Sequence, residues 1–408
     1  MSIKAVSIIG AGLSGLSLGL FLKKQGIYIT IYELRGPDVA SEGAVMLSPN
    51  ALRTLDALGL YTRIQNKGYQ FRDLHFNTND HETMDKYEMG NSQKYGYDAL
   101  RVYRQVLLDE LKAMAEESGI PVFHGKKFSH VVSEDIENGI TLAFTDGTQA
   151  TSDLMIGADG IHSTVRRYLY PDLKPTFSNF MAINCAIPTE KIKFPFEKYP
   201  LPVGIHGSAG AFVMAPQNPD GSEVLAGIQY QTHDRDRAGW DALWQDKEGL
   251  LRMVKEKYGE WNEMVRSAMD AIPLRTLGIW AFYTVPKLEA WSSKAARVVL
   301  IGDSAHAIPP AAGQGVNQAF EDVHAFALLV AAVNQGKMGW EESLKWWQGY
   351  RQERIDRVGA LTAEMNKRRM PGWTGEGAET IDSEWLFSVD IEGDVGARVE
   401  KFSLSKPV

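Results

Sequence analysis

Residues 3–33 read IKAVSIIGAGLSGLSLGLFLKKQGIYITIYE. The apolar run at 3–9 ends in glycine without polar alternation, the pattern of a parallel strand buried on both faces. Leu13, Leu16, Leu20 and Phe21 then recur at helical spacing as far as Gln25, and Gly26 stands where a helix closes. Ile27–Glu33 returns to the strand pattern, so a βαβ unit is predicted. Its turn, Gly10-Ala11-Gly12-Leu13-Ser14-Gly15, is a G-x-G-x-x-G between strand and helix, the context of a dinucleotide-binding fingerprint. Gly10 permits the tight turn, Gly12 lets the backbone approach a pyrophosphate, and Gly15 lets helix pack on strand. The helix N-terminus adds N–H groups and partial positive charge. Glu33, about 20 residues on, can accept hydrogen bonds from ribose hydroxyls. The motif does not by itself separate nicotinamide from flavin dinucleotides, and the bland alternative is a glycine-rich turn with Glu33 as an exposed strand end.

The rest of the composition narrows the class. At 408 residues the chain is long enough for two or three structural units. A formal net charge of -8 argues against nucleic acid as the partner, and Lys367-Arg368-Arg369 reads as a solvated helix end. The single cysteine, Cys185, excludes an intrachain disulfide and a cysteine-based zinc site, fits a reducing compartment, and reads as a small buried strand residue. No metal site is expected. The apolar run from Ala5 to Leu22 is broken by Gly10, Gly12, Gly15 and Gly19, so it is neither signal peptide nor anchor. No other stretch reads as long enough to span a bilayer, and a soluble, cytoplasmic protein is expected.

Helices are predicted over Pro49–Leu60 and Tyr103–Glu117. Residues 76–97 are polar and alternating, which predicts exposed antiparallel strands, and 177–230 has short alternating runs split by Pro and Gly. Arg297–Ile301 (RVVLI) is again a buried strand, followed by a Gly/Pro-rich turn and a helical run to about Val333. The expected fold is α/β: a discontinuous Rossmann-like dinucleotide-binding domain (1–75, 98–175 and 272–333) interleaved with an antiparallel β-sheet substrate domain (76–97 and 176–271). A C-terminal helical region and tail (334–408) follows, without clear period after Pro371.

The discriminating segment is Gly302-Asp303-Ser304-Ala305-His306-Ala307-Ile308-Pro309-Pro310, then Gly313-Gln314-Gly315-Val316-Asn317 and Glu321-Asp322. Here the chain resembles the single-component (group A) FAD-dependent aromatic hydroxylases typified by para-hydroxybenzoate hydroxylase and salicylate hydroxylase. The resemblance implies that Asp303 binds the ribityl chain of FAD and that Pro309, Pro310, Gly313 and Gly315 line the isoalloxazine ring. Gly and Pro suit that task, since a flat ring needs close backbone and a rigid wall. The helix starting near Gly315 and Val316 would aim its positive end at the flavin and favour the anionic reduced ring, with Asn317 a further polar candidate. His306 reads at least equally as a structural hydrogen-bonding residue. Asp153–Arg166 matches the family's DG motif, implying that Asp159 and Arg166 support FAD and nicotinamide binding. Arg104, in VYRQVL, matches the family's arginine near the FAD phosphates, or is a surface charge beside Asp109. Residues 43–60 resemble the loop and helix beside the flavin.

No second G-x-G-x-x-G marks a separate nicotinamide domain. The resemblance therefore implies transient docking of NADPH or NADH, hydride transfer to FAD, and reaction with dioxygen to a flavin C4a-hydroperoxide whose distal oxygen goes to the substrate. That substrate is expected to be aromatic, indole or polyketide-like, and either hydroxylated or epoxidised. His206, Tyr230 and Arg235 are the candidates for acid–base work. Asn184 stands where salicylate-hydroxylase-like proteins often carry arginine, which argues against a carboxylate-bearing substrate. A flavin-dependent halogenase would need a W-x-W-x-I-P segment, and Gly278-Ile279-Trp280-Ala281-Phe282 does not supply one. The remaining alternative is a non-catalytic flavin-binding scaffold or redox sensor acting through a partner protein.

Overall fold

A computed structural model of the chain describes residues 2–368, 370, 373 and 381–404. The βαβ unit forms as Ala5–Ile9, helix Leu13–Lys24 and Tyr28–Tyr32, with the two strands parallel. They lie in a five-stranded parallel sheet ordered Val298–Leu300, Leu154–Gly157, Ala5–Ile9, Tyr28–Tyr32, Val122–Phe123. Every residue of Leu154–Gly157 and Val298–Leu300 is buried, which accounts for their unbroken apolar composition. The helices Pro49–Leu58 and Arg104–Glu117 occur close to the expected bounds.

A seven-stranded sheet runs Gly278–Thr284, Thr176–Pro188, Glu223–Gln231, Gly210–Pro216, Val203–Gly207, Asp73–Thr78, Thr83–Glu88. All neighbours are antiparallel except Val203–Gly207 and Asp73–Thr78, which are parallel. One face packs on helices Lys247–Val254 and Glu263–Asp270 through Ile205, Phe212, Met214, Leu250 and Val265, with Cys185 buried on the same side. Gly278–Thr284 pairs with Thr176–Pro188, so it extends this sheet rather than the dinucleotide-binding unit to which the sequence reading gave it. Residues 76–97 are not simply exposed strands: Phe76 and Tyr87 are buried against Leu386 and Phe387, and Ser92–Tyr95 is a helical turn. That polar stretch gave no sign of the C-terminal elements that cover it.

A small antiparallel sheet, ordered Ala44–Leu47, Ala99–Tyr103, Tyr69–Phe71, stands between the two large ones. Gly315–Asn334 is the central helix, buried almost all round and packed against Leu13–Lys24 and Pro49–Leu58. It corrects one expectation, since its length and hydropathy would suit a membrane span; 83% of the relevant window is buried inside the protein. The long helix Trp340–Lys367 packs on it. Residues 391–404, expected as aperiodic tail, form a helix that buries Ile391 and Val395 on the same central helix. Arg368 is buried and ion-paired with Asp85, not solvated, while Arg369 lies outside the described residues.

Candidate functional site

The glycines of the first turn divide by what surrounds them. Gly10 has φ +108°, and a Cβ there would lie 2.4 Å from the Ala158 carbonyl oxygen. A Cβ on Gly15 would lie 2.0 Å from the Gly10 carbonyl oxygen, so helix and turn touch through bare backbone. A Cβ built on Gly12 meets no atom within 4 Å. Gly12 also caps the helix without any side-chain hydrogen bond, which leaves first-turn N–H groups directed at this open space. Glu33 closes one side: its Oε2 accepts from Ala11 N at 2.8 Å and its Oε1 from Arg35 N at 2.9 Å. The cradle therefore has donors and room where a pyrophosphate belongs, and a carboxylate where a ribose belongs.

Asp303 and Arg104 form the next part. Both expose much of their surface, yet protein surrounds them enough to shift both titrations. Burial raises the Asp303 pKa against the pull of His306, Arg104 and Arg166, and burial lowers that of Arg104 against the pull of Asp303. The two opposite charges therefore influence each other across a partly enclosed space without a direct salt bridge among the described residues. Asp109, the alternative surface partner for Arg104, instead accepts from Gln105 at 2.6 Å.

Arg166 and Asp159 sit differently from the simplest expectation. Arg166 is buried, and its guanidinium donates to the carbonyls of Ser304 (2.9 Å), Asp303 (3.4 Å) and Ile161. Asp159 accepts from Ser163 Oγ at 2.5 Å and from the N–H groups of Thr164 and Val165 at 2.7 and 3.2 Å. In this geometry Arg166 braces the DG segment against the GD segment, Asp159 closes the turn within the DG segment, and of the two only Asp159 is half-buried.

Beyond Asp303 the chain passes Pro309, makes a 3₁₀ turn at Pro310–Ala312, and reaches Gly313 at φ +65°. The helix Gly315–Asn334 then opens without a side-chain cap, and a Cβ on Gly315 meets nothing within 4 Å. Gly315 and half-buried Val316 thus present free backbone to the cleft. Asn317 is withdrawn from it: Oδ1 accepts from Ser48 N (3.0 Å), and Nδ2 donates to Met46 O (2.9 Å) and Gly313 O (2.6 Å). It fastens residues 46–48 to the loop.

Behind the loop lies a buried network that sequence reasoning missed. His306 Nε2 and Asp322 Oδ2 are 2.5 Å apart, and that oxygen also accepts from Gly302 N at 3.1 Å. Arg351 bridges Asp322 and Glu321, Arg354 holds Glu321, and Asn50 donates to Glu321 at 2.6 Å. Adjacent acids in an apolar helix were the available signal, because buried carboxylates need cations. The His306 ring is thus engaged by a buried carboxylate.

The three acid–base candidates do not meet. His206 is buried beside Phe76 and Trp373, with ring centroids at 5.7 and 5.6 Å. Tyr230 packs on the opposite face of the sheet and donates to Glu256 at 2.9 Å. Arg235 bonds Thr232 Oγ1 and His233 O, and its guanidinium lies 5.0 Å from the Trp240 ring centroid. Strand alternation separates Tyr230 from His206: register pairs His206 with Ala211 and Ile228 with Phe212, which puts residues 228 and 230 on the face away from His206.

The chain is 28% identical to salicylate hydroxylase of Pseudomonas putida over 419 residues, covering 96% of this chain and 93% of that one. It is 27% identical to hispidin-3-hydroxylase of Neonothopanus nambi over 350 residues, 80% of each. Its fold matches the crystal structure of Klebsiella pneumoniae HpxO complexed with FAD and uric acid at a TM-score of 0.74 and 20% identity, covering 99% and 97% of the two chains. The model of a family described as FAD binding domain matches residues 4–364, and the chain accordingly belongs to that family of FAD-dependent monooxygenases.

Proposed function

We propose that this protein uses NADPH or NADH and dioxygen to hydroxylate or epoxidise an aromatic or polycyclic small molecule, as a soluble cytoplasmic enzyme. The observation that carries the reading is the grouping of the open Gly12 cradle, the mutually attracting charges of Asp303 and Arg104 and the uncapped turn at Gly315. Gly10, Gly12 and Gly15 with the helix N-terminus would hold the pyrophosphate of FAD, Glu33 the ribose, and Asp303 the ribityl chain. Arg104 would neutralise the phosphates. Pro309, Pro310, Gly313 and Gly315 would wall the ring, with Arg166 and Asn317 positioning that wall. FAD held by these residues would supply the redox chemistry that a reduced nicotinamide and dioxygen require.

The chain's own contribution is enclosure and polarity. Phe71, Phe76, Met89, Ala311 and Ala312 pack into one apolar cluster beside the loop, which excludes water from the reacting centre. The partial positive charge of the Gly315 helix end favours negative charge on the ring. His206, with Phe76 and Trp373, is the acid–base candidate left on the cleft side of the sheet.

The test is the visible spectrum of the purified, FAD-supplied protein in air before and after NADPH. A flavin band that bleaches and returns with oxygen supports the reading, and absence of any band sinks it. Asp303→Ala should weaken FAD binding about 100-fold, the loss of a charge-assisted hydrogen bond, and Arg104→Ala only about tenfold. Flavin fluorescence titration of the apoproteins ranks the two, and full flavin occupancy in Asp303→Ala would remove its ribityl assignment.

A further inference from the structure

Strand Ala99–Tyr103 divides its side chains between two interiors. Leu100 and Val102 enter the dinucleotide-binding core, while Ala99, Arg101 and Tyr103 face the other way. Arg101 stands opposite Met46 on one neighbouring strand and Tyr69 on the other. Met46, Tyr69 and Ala99 belong to the apolar cluster that also contains Ala311 and Ala312 of the loop and Phe76 beside His206. Two residues on, the Tyr103 hydroxyl donates to Glu223 and accepts from Gln217 Nε2 at 3.2 Å, so the seven-stranded sheet closes over this face.

Arg101 is 6% exposed, and its Nε has no hydrogen-bond partner. Its pKa is lowered to about 10 by burial alone, and among the described residues no carboxylate offsets that burial. The other buried arginines of the site differ: Arg166 meets three carbonyls, and Arg351 and Arg354 meet Glu321 and Asp322. A buried guanidinium without a counter-charge is unfavourable until an anion reaches it.

We propose that Arg101 binds the ionised oxygen, carboxylate or phenolate, of the aromatic substrate in the reaction cavity. This rests on the monooxygenase reading above. It also reverses the inference from Asn184, which stands between Gly227 and Gly278 on the neighbouring strands, none of the three carrying a charge. The cation comes from the facing small sheet instead. A positive charge there stabilises a phenolate over a phenol, and the phenolate is the more electron-rich ring for oxygen transfer.

The test uses FAD-loaded wild type, Arg101→Met and Arg101→Lys with benzoate, salicylate and 4-hydroxybenzoate, each against its amide. Affinity is read from the ligand-induced change in the flavin spectrum, without turnover. Wild type should bind at least one acid about tenfold or more tightly than its amide, Arg101→Met should lose that preference, and Arg101→Lys should keep part of it. Arg101→Met should melt no lower than wild type without ligand, because no protein partner is lost. The proposal is overturned if wild type prefers no acid, if Arg101→Met keeps the preference, or if that variant loses its flavin or melts markedly lower. A flavin that NADPH cannot bleach counts against the monooxygenase reading, whereas acid preference reports on Arg101 separately.

Discussion

Arg351→Ala is expected to lower the unfolding free energy by about 3–5 kcal/mol, the cost of stranding buried charge. Glu321 and Asp322 are adjacent and fully buried in the central helix. Arg351 donates to Glu321 Oε2 at 2.5 Å, to Asp322 Oδ1 at 2.8 Å and to Gln318 Oε1 at 2.6 Å. Without it Arg354 still holds Glu321, but Asp322 keeps only the His306 ring and the Gly302 N–H, and two carboxylates face each other across one cation. The pH dependence has a definite sign. Burial would raise the Glu321 pKa, yet Arg354 and Arg351 outweigh it and hold the group at about 2. A carboxyl depressed on folding stabilises the protein above its unfolded pKa, so this contribution is full above about pH 4.5 and is lost as pH falls towards 2. The variant should lose much of that acid sensitivity. Urea midpoints at pH 7 and pH 2.5 measure both effects, and a midpoint unchanged at pH 7 would show that the network contributes nothing net. Because Asp322 also anchors Gly302, flavin affinity should fall with stability.

The second large effect separates two glycines of the same turn. Gly12→Val should fold normally and lose FAD, its Kd rising at least about 100-fold, because its side chain enters space that no protein atom fills. Gly15→Ala should do the reverse. Its methyl would lie 2.0 Å from the Gly10 carbonyl oxygen, and neither backbone can yield without moving helix from sheet. Overpacking of this severity should cost about 3 kcal/mol or more, so the variant should accumulate poorly or melt early. Circular dichroism melting and flavin occupancy, measured together, distinguish the two. Full flavin content in Gly12→Val would mean that the cradle holds something other than a pyrophosphate.

Much of the candidate site was legible because it is written in local chemistry. Gly10, Gly12, Gly15 and Glu33 are informative through missing side chains and through spacing along one strand-turn-helix, and Asp303 to Gly315 likewise forms one continuous loop. Short unbroken apolar runs ending in glycine predicted the buried strands Ala5–Ile9 and Val298–Leu300. His206 and Tyr230 were harder, because the sequence contains both but only sheet register assigns their faces. Alternation excludes Tyr230 once Thr176–Pro188 and Gly210–Pro216 are known to flank its strand.

The sequence by itself determined the βαβ unit with its glycine-rich turn, the Gly/Pro-rich loop after Asp303 and the α/β class, since each rests on backbone that neighbouring residues shape. Only the tertiary structure decided that Gly278–Thr284 joins the seven-stranded sheet, that Ile391–Leu404 covers the central helix, and that Arg368 meets Asp85. It also decided which buried charges have partners. Arg351 and Arg354 find theirs about 30 residues back along the chain, and Arg101 finds none among the described residues. Strand neighbours and counter-charges are set by long-range packing, and spacing along the chain carries no record of it.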